Sequence, residues 1–394
     1  MAFNLRDRLR HIRQETKVTA QSGKKITLEG WSDAGYMTLK REIVYEEDFI
    51  FPETIPDSSV FLIKGINPCM AYEDMVFFDL ETTGLSTGPG TIAFLAAFGR
   101  LHPSELHSSG RAFALHITQY LLLDYPGESD FIEALLAEIK PNSIIVSYNG
   151  KCFDSQILKT RCIMKGIMPP DFCHLDLLYP ARTLWKKLLE SCSQSVIEIG
   201  ILGISREGDI PGAFAPEIWF SFLNTGKTEK LLLICDHNKK DIAGLVSIFS
   251  AMLKILADPA GTENKIKFDI ESLAIKLCDI NLLRYAAEQE YPLAVLQYAL
   301  ASMRNENYCE GRKWLLNAAS CDASLCDAAS CGGGKDIQIR ALRSLAIDSE
   351  WRLKDPHEAL EFAKKAEGLF EPASSIRKDF ERRIERLEKK LLQN

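Results

Sequence analysis

"FFDLETTGL", residues 77–85, continues an apolar run that begins at Met75 and sets two acids, Asp79 and Glu81, one residue apart ahead of threonines and a glycine. Side chains alternate along a strand with a period of two, so both acids project from one face with their carboxylates within reach of each other. Like charges placed this way are costly unless a cation lies between them. The stretch therefore reads as half of a metal site, and the rest of the chain has to supply the other half.

At 394 residues the chain fits two or three domains, each large enough to bury its own core. A net charge of -7 gives no overall basic coat, so any nucleic-acid reading needs a local basic channel. The eleven cysteines lack the tight, even spacing of a disulfide framework. The start "MAFNLRDRLRHIRQ" has no signal-peptide core, and no apolar run approaches the eighteen or so residues that span a bilayer. These features lead us to expect a reduced, cytoplasmic protein with no membrane partner. Cys321, Cys326 and Cys331 repeat every five residues without a nearby histidine, which is not zinc-knuckle spacing; they read as small loop or core thiols.

Three segments are expected. Residues 1–72 open with an amphipathic helix (Leu5, Leu9, Ile12), contain a strand-like "SVFLIKGI", and read as an N-terminal extension packed on the neighbouring domain. Residues 73–255 alternate strands and helices. "MVFFDLE", "TIAFLAAFG" and "AFALHITQYLL" are strands, "FIEALLAEI" is a helix, "SIIVSYN" a strand, and "DSQILKTRCIM" a helix opening on its own aspartate cap. This order predicts a mixed central sheet flanked by helices. Residues 256–394 lose the strand signal and read as antiparallel helix pairs. One pair sets Leu342, Leu345 and Ala346 before a break at Lys354-Asp355-Pro356, with Ala359, Leu360, Ala363 and Ala366 after it. Small residues at the crossing and a short turn resemble a tetratricopeptide repeat, although an ordinary helical bundle fits nearly as well.

Two later segments offer further acids. "YNGKCFD" brings Tyr148, Asn149, Gly150 and Lys151 to a strand end and Asp154 to the first turn of a helix, where helix capping is the plain alternative. "HNKKD" places His237 and Asp241 at i and i+4, on one helix face. Taken in order, D-x-E on a strand, an aspartate after a strand-to-helix turn, and an imidazole four residues before a last aspartate resemble the DEDD exonucleases. These form the DnaQ-like branch of the ribonuclease H superfamily. "ILGISREGDIPG" together with "HNKKD" is similar to the bacterial YprB-like ribonuclease H-like family, whose members join such a domain to tetratricopeptide-type helices. DEDD enzymes place histidine five residues, or tyrosine four residues, before the last aspartate. Here histidine takes the tyrosine spacing.

The resemblance implies a metal-dependent 3'-5' exonuclease acting on single-stranded DNA or RNA with two divalent cations, Mg²⁺ or Mn²⁺, held by Asp79, Glu81, Asp154 and Asp241. Asp79 would bridge both ions, Glu81 and Asp241 would complete the water-activating site, Asp154 would serve the other ion, and His237 would orient or deprotonate the water. Thr82, Gly84, Asn149, Lys151 and Arg206 are expected to border the substrate, with Arg161, Arg182, Lys186 and Lys187 as further candidates for phosphate contacts. Trp185 and Trp219 read as core residues before base-stacking platforms. The helical segment would dock a protein partner or substrate. The same site in an open cleft would cut internally, and a non-catalytic scaffold on a nuclease fold is the rival from another class.

Overall fold

The computed structural model describes residues 26–84, 88–104, 110–320, 334–370 and 377–392. The expected N-terminal helix and the cysteines at 321, 326 and 331 lie outside these residues. Eight strands form one mixed sheet: β1 (Ser32–Gly35), β2 (Thr38–Val44), β3 (Phe49–Phe51), β4 (Met75–Thr82), β5 (Ala93–Pro103), β6 (Arg111–Leu122), β7 (Ile144–Ser147) and β8 (Cys173–Asp176). Their order is β1-β2-β6-β5-β4-β7-β8, with β3 also paired to β6. The strands β4, β5 and β6 run antiparallel, whereas β7 and β8 continue the sheet parallel to β4. The first segment thus contributes three strands to the sheet itself. "SVFLIKGI" does not form a strand: Ser59–Leu62 is a single helical turn.

Period-two alternation divides β4 between two cores. Val76, Phe78 and Leu80 face one, with Phe94, Phe98, Ile157, Leu158 and Trp219. Met75 and Phe77 face the other, with Ile242, Val246 and Phe249. Asp79 and Glu81 continue the second row, so they point toward the long helix that covers that face. The helices are α1 (Glu128–Glu138), α2 (Asp154–Met164), α3 (Leu178–Trp185), α4 (Gln194–Gly200), α5 (Ala215–Thr225) and α6 (Glu229–Ala257). Helix α6 comes so close to the sheet that a Cβ on Gly99 would lie 2.5 Å from Ile242 Cγ2.

The helical region runs through α7 (Ile270–Leu277), α8 (Ile280–Glu288), α9 (Pro292–Arg304), α10 (Tyr308–Ser320), α11 (Gly334–Trp351), α12 (Pro356–Glu367) and α13 (Arg377–Leu392). The expected break falls between α11 and α12, where Lys354 has a φ of 55° and Asp355 caps α12 by accepting from His357 N and Glu358 N. Leu345, Ala346, Ala359, Ala363 and Ala366 are fully buried at that pair. The region shares one continuous core with the α6 face of the sheet. Trp185 Nε1 donates to the Lys267 carbonyl (3.0 Å), and Lys187 pairs with Asp269 and Glu271 at 3.0 Å each.

On the opposite face, Glu128 of α1 receives Arg161 of α2 through Nε (2.5 Å) and Nη2 (2.7 Å) and also pairs with Lys165 (2.9 Å). Arg161 Nη1 donates to the Pro89 carbonyl (2.7 Å), which ties in the turn after β4. Burial opposes the charge on Glu128, but hydrogen bonds from Arg161 and Lys165 outweigh it and hold the carboxyl below the ordinary value of 4.5. That stabilisation is complete above 4.5 and is lost as the pH falls through the lower folded value. Replacing Glu128 by Gln should therefore cost about 3 kcal/mol in denaturant unfolding at neutral pH. The gap from wild type should close in acid; a gap that is unchanged there would disprove the ion-pair account.

Candidate metal centre

The site forms at the carboxyl ends of β4, β7 and β8, where α6 crosses the sheet. Strand β4 delivers Asp79 and Glu81, and α6 delivers His237 and Asp241 from one face. Asp154 is the first residue of α2. The cap position belongs to Phe153, so the capping alternative does not apply, and the Asp154 side chain is 6% exposed. Oxygens of Glu81 and Asp241 and a ring nitrogen of His237 all lie within 4.8 Å of one another. His237 Nε2 is 3.2 Å from Asp241 Oδ2 and 4.0 Å from Glu81 Oε1.

Electrostatics join the remaining acids to this group. Burial and the charge of Asp241 push Asp79 up to about 7, against a hydrogen bond from Asn238. Burial, then Asp79, Asp241, Asp154 and Asp209, raises Glu81 well above its ordinary value. Burial and Asp79 raise Asp154 in the same way. Without added positive charge, protons are drawn to the place where cations would sit.

Backbone at two positions comes close to these groups. A Cβ on Gly150 would stand 2.7 Å from Asp154 Oδ2, and one on Gly212 would stand 3.0 Å from His237 Nε2 and 3.8 Å from Glu81 Oε1. Hard carboxylate oxygens and unmet negative charge fit divalent cations of the Mg²⁺ or Mn²⁺ kind.

The surroundings were less legible in the sequence. Asp176, at the end of β8, accepts from Asn149 N (2.9 Å), Lys151 N (3.1 Å) and Leu178 N (3.1 Å). It staples the turn before Asp154, in which Asn149 adopts a φ of 62°. Asn238 Nδ2 donates to Asp79 Oδ2 (2.7 Å) while its Oδ1 accepts from Gln119 Nε2 (2.9 Å), and Gln119 in turn accepts from Arg41 (2.6 Å). A buried chain of amides thus runs from β2 across β6 to the site. His237 Nδ1 lies 2.9 Å from Asp209 Oδ2. Burial opposes charge on Asp209, yet hydrogen bonds from His237 and Arg206 outweigh it and keep the carboxyl below its ordinary range. An acid that ends a parallel strand, as Asp176 does, is the one signal that could have been read in advance.

Several expected substrate contacts have other employment. Arg206 reaches Glu198 (2.5 and 2.9 Å), Asp209 (2.9 Å) and Asp241 (2.7 Å), so its guanidinium knots the loop to α4 and α6 and is not free for phosphate. Arg161 and Lys187 are likewise committed to carboxylates. Thr82 Oγ1 donates to the Gly84 carbonyl (2.8 Å), and Gly84 has no left-handed φ. Lys151, Arg182 and Lys186 are exposed. Trp185 and Trp219 are fully buried, as core residues should be.

Residues 76–253 match the RNase_H superfamily model. The matched span includes every site residue above. A Bacillus subtilis (strain 168) protein described as "Uncharacterized protein YprB" is 34% identical over 194 residues, which is 48% of this chain and 44% of that protein. The chain therefore aligns with less than half the length of this relative. The RNase H-like region carries the mixed sheet with flanking helices, and a predominantly helical region follows it. Among the described residues no helix is long and apolar enough to cross a membrane, and the eight cysteines present are unpaired.

Because ionised Asp79 is held where its charge is disfavoured, Asp79→Asn should melt a few degrees above wild type at pH 8 without metal. Millimolar Mn²⁺ should raise the wild-type midpoint and leave the variant unmoved. Equal metal-induced rises in both proteins would remove Asp79 from the site.

Proposed function

We propose that this chain is a metal-dependent nuclease that shortens single-stranded nucleic acid from its 3' end. The observation that carries the reading is the convergence of Asp79, Glu81, Asp154 and Asp241 from β4, α2 and α6, where burial and mutual repulsion disfavour the charges of the first three. The match of the surrounding region to the RNase_H superfamily supports hydrolysis of a phosphodiester.

Asp79, central to the mutual repulsion, would share its carboxylate between two ions, with Glu81 and Asp241 on one side and Asp154 on the other. Bound divalent cations would supply polarisation of the phosphate and a water activated near neutral pH. The protein's part is positioning. Asn238 fixes which Asp79 oxygen faces the site, Asp176 fixes the turn that presents Asp154, and Arg206 fixes Asp241. Lys151, exposed on the turn between β7 and α2, would meet a phosphate of the incoming strand. With Arg206 and Lys240 already engaged by carboxylates, the site suits a single strand better than a duplex, because a short strand needs few phosphate contacts.

The test follows 5'-labelled single-stranded DNA and RNA in Mg²⁺ and in Mn²⁺, with wild type and an Asp79→Ala, Asp154→Ala double variant. The expected result is a metal-dependent ladder shortened from the 3' end, with the double variant slower by at least about 100-fold. Cleavage of a circular single strand would replace the exonuclease reading with an internal cutter. Intact labels under every condition would overturn hydrolysis altogether.

A further inference from the structure

His237 has two ring nitrogens with different surroundings. Nδ1 lies 2.9 Å from Asp209 Oδ2. A carboxylate offers only acceptors, so Nδ1 carries a hydrogen, which leaves Nε2 as the ring atom that could give its lone pair to a cation. Nε2 itself stands 3.2 Å from Asp241 Oδ2 and 4.0 Å from Glu81 Oε1. The 3.2 Å separation is that of neighbouring donors on one cation with bonds of about 2.0–2.2 Å, and 4.0 Å is still within the span that two donors of one such cation can have. A general base acting on a metal-bound water would instead stand one water farther out, about 2.6–3.2 Å from the water's oxygen. A Cβ on Gly212 would stand 3.0 Å from Nε2 and 3.8 Å from Glu81 Oε1, so the loop backbone passes close beside these two donors.

We propose that His237 Nε2 is a ligand of the cation held by Glu81 and Asp241, and that Asp209 is the positioning residue that fixes its ring. This assignment rests on the metal-dependent reading above and changes the histidine's part in it from base to ligand. The carboxylate–histidine pair sets the tautomer and raises the ring's donor strength, a common arrangement behind metal-bound imidazoles. Asp209 is itself held by Arg206 and lies 3.6 Å from Lys240, so the ring is braced from the loop and from α6 together. One nitrogen donor among oxygens tilts the centre from Mg²⁺, which favours oxygen, toward Mn²⁺ and later transition ions.

The test is pulsed electron paramagnetic resonance on the full chain loaded with Mn²⁺, which detects ¹⁴N of a directly coordinated imidazole. Wild type should show the nitrogen modulation. His237→Ala should lose it while still binding Mn²⁺ about 10–100-fold more weakly by titration calorimetry, and Asp209→Asn should keep it with a loss of affinity in the same range. The Mn²⁺-over-Mg²⁺ preference should shrink in His237→Ala. Wild type with tightly bound Mn²⁺ and oxygen ligands only would overturn the assignment, whatever the variants do. Nuclease activity with oxygen-only Mn²⁺ would overturn this inference and leave the proposed function standing. Nitrogen coordination without hydrolysis of any tested strand would do the reverse.

Discussion

Mutual repulsion among carboxylates that share a poorly solvated focus is the constraint around which the RNase H-like region is organised. Burial raises Asp79, Glu81 and Asp154, and repulsion from neighbouring acids adds to the rise at each. Arg206 supplies permanent positive charge nearby, but that charge is divided among Asp241, Asp209 and Glu198. The fold must therefore hold the group together by other means: the sheet register at β4, the face of α6, and the buried amides of Asn238 and Gln119. Under the proposed function, the stability spent on this unfavourable charge cluster would be recovered when cations bind.

What could be read from the sequence was whatever obeys a short period. Phe77, Asp79 and Glu81 alternate in twos, and His237 and Asp241 stand one helical turn apart, so the site's main acids and the sheet that carries them emerge from local pattern. Partners distant along the chain left no such trace. Arg161 meets Glu128 from 33 positions away and Arg206 meets Asp241 from 35, so their guanidinium groups read as free cations when they are not. Asp209 and Asn238 acquire their roles only when a loop and a strand close on α6. "SVFLIKGI" misled for a related reason: its apolar residues match a strand or a buried helical turn, and packing against the α6 face selected the turn.

The helical region is continuous with the nuclease-like sheet in its core. Its helix α7 is anchored by Trp185, buried and bonded to the backbone at Lys267, and by the Lys187 pairs with Asp269 and Glu271. Charge and an aromatic anchor at one seam, backed by shared apolar packing, are features of an interface that moves as a unit. Displacement of the helices would therefore be felt at α3, and through Leu177 at the end of β8, where Asp176 holds the turn ahead of Asp154.

Gly99 sets a dimension of the centre by having no side chain. It pairs with Phe77 on β4, two residues before Asp79, and faces Ile242, the residue after Asp241. The gap between strand-borne and helix-borne oxygens is thus gauged by direct contact of an isoleucine methyl with bare backbone. Small ions bind oxygen at about 2.0–2.1 Å and Ca²⁺ at about 2.3–2.6 Å, a difference that a slight lifting of the helix would span. The fit of a cation at the proposed centre would accordingly depend on a residue that touches no ion. A Gly99→Ala protein whose ranking of Mg²⁺, Mn²⁺ and Ca²⁺ affinities matched wild type would show that some other contact sets the gauge.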